Sequence, residues 1–277
     1  MSKHKTYNKI FSIYGSGKVF KYSLERGGGV VFDADYQAVL DYATTQGYTL
    51  PSSGQQTLQN QLVVDLKAGG IWSKLDTFAV FATDGDSDFA LIDWKRLSDY
   101  TAVNSPTFTA DEGFQGNGTS SYIDSNYNAS TSGVNYLASN YSFGWYMDTI
   151  DTSVSAEAAF AATIPGSANW VRYAVKRFYY TSGVSFQTYS GLTIGSNQMV
   201  MANASATNLT LYANGSLTDT IALVATKNPV NGNFLAFYQT FVTNYSDSKL
   251  GMVYAGGNLD SQASDFYNAW NTYLTSL

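Results

Sequence analysis

At 277 residues the chain is long enough for one large domain or two ordinary ones. Only 13% of it is charged, against about 25% for ordinary globular proteins, and 22 Tyr and 16 Phe go with abundant Ser, Thr, Asn and Gly; that is the profile of strands with neutral polar outer faces. With no cysteine there are no disulfides, thiolate metal sites or cysteine nucleophiles, and a single histidine, His4, in a basic tail leaves no Ser-His-Asp arrangement and no zinc site.

The net charge of −6 is unevenly spread. Residues 1–26 carry Lys3, Lys5, Lys9, Lys18, Lys21 and Arg26 against Glu25, a balance of +5 that leaves −11 for the remainder. A basic arm on an acidic body fits a tail that docks on an acidic surface, and equally a plain solvated terminus. The arm, taken as residues 1–30, ends in the flexible joint Gly27-Gly28-Gly29. No basic stripe interleaves the aromatics of the body, so nucleic acid is not expected as a partner. No apolar h-region follows the basic start and no run nears the ~18 residues of a membrane span. Synthesis in a cytoplasm without a signal peptide is expected, and no membrane partner.

Residues 31–98 read as a small α+β module. Asp33 is a suitable N-cap for a helix through Gln46 with Tyr36, Val39, Leu40 and Ala43 on one face and Gly47 as its stop. Ser53 with Gln56 three positions on makes a capping-box pattern for a second helix, with Leu58, Leu62, Val63 and Leu66 inward and its end at Gly69. The short link makes the pair a helical hairpin. Residues 78–81 (Phe-Ala-Val-Phe) and 89–92 (Phe-Ala-Leu-Ile) read as buried strands. Between them Asp84, Asp86 and Asp88 follow the D-x-D-x-D opening of a calcium loop. The pattern then departs, with Phe89 at position six and Lys95 at position twelve. Calcium on these three aspartates is the sharper expectation and an exposed acidic turn the plainer one; no other cofactor is expected.

From about residue 99 the chain is a series of strands separated by Gly, Asn and Ser turns. Segments 143–147, 170–180, 199–202, 209–212, 217–223, 234–240 and 250–254 are clear members, and Asn214-Gly215 is a hairpin signal. Many evenly spaced strands with little helix between them imply a sandwich or jelly roll. A closing helix from about Ser261 places Phe266, Trp270, Tyr273 and Leu277 on one stripe. Glycoside hydrolysis needs a suitably spaced carboxylate pair. The three glutamates, Glu25, Glu112 and Glu157, lie in a tail, a turn and an Ala-rich segment, so an enzyme is not expected. Trp145, Trp170, Tyr173, Tyr179, Tyr180 and Tyr189 include candidates for a sugar-stacking platform, or are core and sheet neighbours.

The segments FTADEGFQGNGTSSYID, LTLYANGS and LGMVYAGGNLDSQASDFYNAW, behind the helical DYQAVLDYATTQGYTLPSSGQQTLQNQLVVDL, resemble concanavalin A-like (laminin-G-like) jelly-roll domains of bacteriophage virion proteins. The resemblance covers roughly residues 95–277. It implies a mainly β fold, a concanavalin A-like jelly-roll sandwich (99–277) preceded by the helical-hairpin module (31–98) and closed by a C-terminal helix. It also implies a non-enzymatic structural component of a virion, in capsid, tail or fibre, with other virion proteins and copies of itself as partners. A carbohydrate-binding module for host surface glycan is the alternative. The resemblance supplies no catalytic or ligand-binding residues.

Overall fold

The structure, a computed structural model, describes residues 10–15, 18–23, 31–150, 160–164, 167–172, 177–179, 186–188, 190–222, 228–240 and 244–277. Side chains are described over 31–150, 160–162, 190–222, 228–240 and 244–277. The fold is a mainly β sandwich of two antiparallel sheets. An eight-stranded sheet runs Ser216–Ala222, Asn208–Ala213, Gln198–Ala204, Tyr141–Thr149, Lys249–Gly256, then Gly113–Gln115 and Thr107–Thr109, with Leu75–Val80 on the same side of Lys249–Gly256. A seven-stranded sheet runs from Phe186–Thr188 through Asn233–Ala236 and Tyr122–Asn128 to Thr101–Val103.

The eight-stranded sheet is buried on both faces. Along Tyr141–Thr149, Tyr141, Phe143, Trp145 and Met147 enter the core between the sheets, while Tyr146 faces a second core built with the helices. Strand Gln198–Ala204 alternates likewise, Val200, Ala202 and Ala204 inward against Met199 and Met201 outward. A strand covered on both faces carries apolar residues at successive positions, which is why these segments read as continuous hydrophobic runs. Tyr122–Asn128, in the other sheet, alternates buried and partly exposed positions because only one of its faces meets the core.

The helices cover the outer face of the eight-stranded sheet. Helix Ala34–Gln46 starts at Asp33, whose carboxylate accepts from Asp35 N at 2.9 Å, and stops at Gly47 with φ +82°. Its buried face is Tyr36, Val39, Leu40 and Ala43, as its spacing predicts. The second helix, Ser53–Ala68, is capped one residue earlier than the capping-box pattern predicts: Ser52 Oγ accepts from Gln55 N at 3.3 Å, and Gln56 turns to Pro51 O. Its inner face also buries two polar groups, Gln55 and Gln59, each satisfied: Gln59 bonds Tyr36, Thr83 and Tyr273. Helix Ala263–Leu274 buries Phe266, Trp270 and Tyr273, whereas Leu277, expected on the same stripe, lies beyond the helix end and is exposed.

Segment 89–92 differs from its expected strand. Asp86 accepts from Phe89 N at 2.8 Å and caps a short helix, Ser87–Ala90, and only Ile92–Asp93 is extended. A short apolar run fits a buried helix as well as a strand, and here the cap decides. The 31–98 segment is continuous with the sandwich in space. Strand Leu75–Val80 pairs with the far end of the chain, Met252↔Val80 and Tyr254↔Phe78, and the helices share one core with Tyr146, Met199, Met201, Tyr212, Met252 and Tyr254. Arg96 adds a tie across the other side. It pairs with the buried Asp93 at 2.5 Å and donates to Ser125 O and Asn126 O of the seven-stranded sheet.

Candidate functional site

The loop 116–121, rich in glycine, asparagine and serine, carries the chain from one sheet to the other. Thr107–Thr109 pairs with Gly113–Gln115 in the eight-stranded sheet, and Tyr122–Asn128 begins in the seven-stranded one. Asn117 organises the crossing. Its Oδ1 accepts from the backbone amides of Thr119, Ser120 and Ser121 at 2.8–2.9 Å, and its own N–H donates to Ser121 Oγ at 2.8 Å. Such an Asx-centred loop is rigid because one side chain replaces the missing backbone partners.

That loop packs against residues 237–240 and 244–248. Gly116 N donates to Ser248 O and Gly118 N to Ser246 O, while Ser246 N closes back onto Phe237 O at 2.9 Å. At Gly116 the approach leaves no room for a side chain, since a Cβ would lie 2.0 Å from Ser246 O. Phe237 is held at φ +68°, a left-handed conformation that costs a bulky residue energy and persists only where its surroundings enforce it.

Together the two loops gather Tyr122, Tyr238 and Tyr245, all half-buried. Tyr238 and Tyr245 stack at 4.4 Å with 13° between their planes, and Tyr122 lies 5.1 Å from Tyr238 at 37°. Tyr238 therefore has a ring on either side. Among the described residues Tyr122 and Tyr245 make no second ring contact. Burial, and then Tyr245 beside it, push the Tyr238 phenol above its ordinary value, so Tyr238 keeps its hydroxyl proton at physiological pH. Thr119, exposed on the adjoining loop, adds a hydroxyl at the rim. Three aromatic rings with polar edges can take the C–H face of a polyhydroxylated ligand by dispersion while their hydroxyls exchange hydrogen bonds with it.

The residues singled out in the sequence lie elsewhere. Asp84 Oδ1 accepts from Ser52 N at 2.9 Å, and Asp86 bonds Thr49 N and Phe89 N through its two oxygens. Asp84 and Asp88 are exposed. These carboxylates fasten the helical hairpin to the loop, and among the described residues no group of three or more acidic or histidine side chains gathers as a metal would need. Trp145 is fully buried in the sandwich core. The side chains of Trp170, Tyr173, Tyr179, Tyr180 and Tyr189, with His4, Glu25, Glu157 and the 1–9 part of the basic arm, lie outside the described residues. Glu112 is ion-paired with Lys249. The tyrosine cluster has no spacing signature: Tyr122 and Tyr238 are 116 positions apart in the chain. Its one local sign is that each member adjoins a Gly, Ser or Asn-rich loop.

No protein-family model matches the chain, and no curated protein matches it. Solved structures with a similar arrangement include domain 4 of AbnA, a GH43 extracellular arabinanase from Geobacillus stearothermophilus, solved with arabinotriose. It is 13% identical with a TM-score of 0.46, over 70% of this chain and 98% of that one. Trypanosoma rangeli sialidase is 10% identical with a TM-score of 0.49, over 79% of this chain and 40% of the sialidase. The botulinum neurotoxin serotype D binding domain is 10% identical with a TM-score of 0.45, over 72% of this chain and 52% of that one. Beside the last two, this chain corresponds to about half or less of the longer protein.

Proposed function

We propose that the chain is a non-enzymatic carbohydrate-recognition module that holds neutral sugar rings against Tyr122, Tyr238 and Tyr245. The observation that carries this reading is the stacked, half-buried tyrosine cluster held by two interlocked loops at one end of the sandwich. A binding surface fixed in advance loses little entropy when its ligand arrives, and the Gly116 contact and the Asn117 turn supply that fixation. Host surface glycan is the proposed ligand class. That the module does not catalyse is part of the same proposal.

The test is a glycan array probed with the whole chain, followed by calorimetry on the best glycan. Tyr122→Ala and Tyr245→Ala are each expected to weaken binding by on the order of 1–2 kcal/mol, about tenfold. Unchanged affinity in both variants would overturn the assignment of the site.

A second reading concerns where the module is displayed. The +5 charge of residues 1–26 on a body of −11 supports docking of this arm on an acidic surface, and with the sequence resemblance it supports a component of a phage particle. Removing residues 1–29 should then leave a folded protein that fails to join the particle; incorporation of the truncated chain would remove the anchor from the account.

A further inference from the structure

A different site lies at the opposite end of the sandwich. Strand Tyr122–Asn128, seven residues, begins at the tyrosine cluster and runs about 20 Å to the other end, where Tyr127 Oη donates to Asp76 at 2.8 Å. There three neighbouring strand termini of the eight-stranded sheet converge: Lys74 precedes Leu75–Val80, Asn140 precedes Tyr141–Thr149, and Gly257 follows Lys249–Gly256. The register pairs Leu75 and Ser142 with Gly256 from its two sides. They enclose a cavity of about 310 Å³ lined also by Val134 and Leu137. That is near the lower end of small-ligand pockets, roughly 300–1,000 Å³.

The loop that walls the cavity is held from behind. Asp76, 8% exposed, accepts from the consecutive amides of Val134, Asn135 and Tyr136, each at 2.9 Å, and from Asn135 Nδ2 at 2.8 Å. Three successive N–H groups closed round one carboxylate fix the loop that forms the wall. The loop turns two aliphatic side chains outward: Val134 is 75% exposed and Leu137 48%.

Lys74 makes the wall cationic. Its Nζ donates to Asn258 O and to Gln262 Oε1, each at 3.0 Å, and both acceptors are neutral. An ammonium has three donors, and among the described residues Lys74 has no carboxylate partner. The nearby acids are engaged: Asp76 as above, and Asp260 by Thr210 Oγ1, Tyr212 Oη and Asn258 Nδ2. Asn140, exposed on the cavity rim, bonds Leu137 through its backbone, while its side-chain carboxamide has no partner among the described residues. A half-buried ammonium with one donor left and, among the described residues, no carboxylate within ion-pair distance can take an anionic group. The carboxamide beside it suits a hydroxyl, and the aliphatic pair suits a carbon-bound face.

We propose that this cavity binds a single carboxylated sugar, a hexuronic acid in chemical class, with its carboxylate on Lys74, a ring hydroxyl on Asn140 and its apolar face on Val134 and Leu137. The site is independent of the tyrosine cluster, so failure of either leaves the other standing.

Calorimetric titration of the whole chain with D-glucuronate and D-galacturonate, beside D-glucose, D-galactose and acetate, tests this. A uronate should bind at least about tenfold more tightly than the matching neutral hexose and than acetate, and the preference should shrink as salt rises. Lys74→Met, keeping the stem, should abolish the preference, and Lys74→Arg should retain most of it. Leu137→Asp, at a position 48% exposed, should weaken uronate binding by charge repulsion together with loss of the apolar contact, with the melting temperature read beside it as a check on folding. The proposal is overturned if uronate and hexose bind alike, if no uronate saturates, or if both Lys74→Met and Leu137→Asp bind uronate as the parent does. Tighter binding of acetate than of uronate would reduce the site to a bare anion site and overturn it as well.

Discussion

Asp76 ties together residues from distant parts of the chain. Five hydrogen bonds converge on its carboxylate, three from consecutive backbone amides, one from Tyr127 and one from Asn135. Asp76→Ala should leave several buried donors without partners, each costing about 1–3 kcal/mol. A loss of at least about 3 kcal/mol in urea unfolding is expected; a loss below about 1 kcal/mol would contradict the role given to it. Burial, and then Asp76 beside it, hold the Tyr127 phenol far above its ordinary value, so it remains a donor throughout the physiological range. Gly116 acts differently. Gly116→Ala puts a methyl onto Ser246 O and must push the two tyrosine loops apart. Its expected signature is a larger fractional loss of glycan binding than of thermal stability, read by calorimetry and a melting curve. None of these roles was legible in the residues. An aspartate with five donors looks like any other aspartate in sequence, and the tyrosines meet only across the turn between sheets. What could be read at this scale was local: the Asp33 cap and the Gly47 stop, where the partners lie within a few positions.

Among elements, the hairpin at Asn214-Gly215 was readable because both central residues need φ > 0, and they have it, at +48° and +74°. The helices were readable from their apolar spacing, though the buried Gln55 and Gln59 were not, since polar residues on an inner face break the pattern that reveals it. Segment 89–92 misled because its apolar run is short and its neighbouring aspartate caps a helix. Strand Leu75–Val80 was recognisable as buried, but its partner lies more than 170 positions away, and no local signal names a partner at that distance. The C-terminal helix seals the same sheet through Trp270, which packs on Tyr146 and Tyr273 at 5.5 and 5.4 Å. Trp270→Ala should cost ~3–5 kcal/mol, seen as a lower urea midpoint with the sandwich's β signal in circular dichroism retained below it. A change under about 1 kcal/mol would mean that the helix is only loosely docked.

At the scale of the molecule, one sheet is shared by two cores, so the helical segment and the sandwich should unfold together. Both cores are rich in tyrosine. Burial above all raises the phenol of Tyr146 to about 12, those of Tyr36, Tyr254 and Tyr273 further still, and that of Tyr100 well above its ordinary value. Unfolded tyrosines lose their protons near pH 10 while these folded ones keep theirs. The stability they confer is therefore complete below about pH 10 and falls as pH rises through the folded values. The urea midpoint should drop steeply between about pH 9 and about pH 12 in a single transition; a midpoint flat across that window would contradict the burial of these rings. No helix among the described residues is long and apolar enough to cross a membrane. The scarcity of charge noted in the sequence has its counterpart here, since a sheet covered on both sides leaves few positions where a charge can reach water.

The central claim is that sugar rings are held at the tyrosine end, and an NMR titration of the labelled chain with an array-identified neutral glycan tests it most directly. Saturable shifts confined to the rings of Tyr122, Tyr238 and Tyr245 and the amides of residues 116–121 are the predicted result. Shifts that bypass these loops and fall on the helices, or on the 84–88 turn, would contradict it.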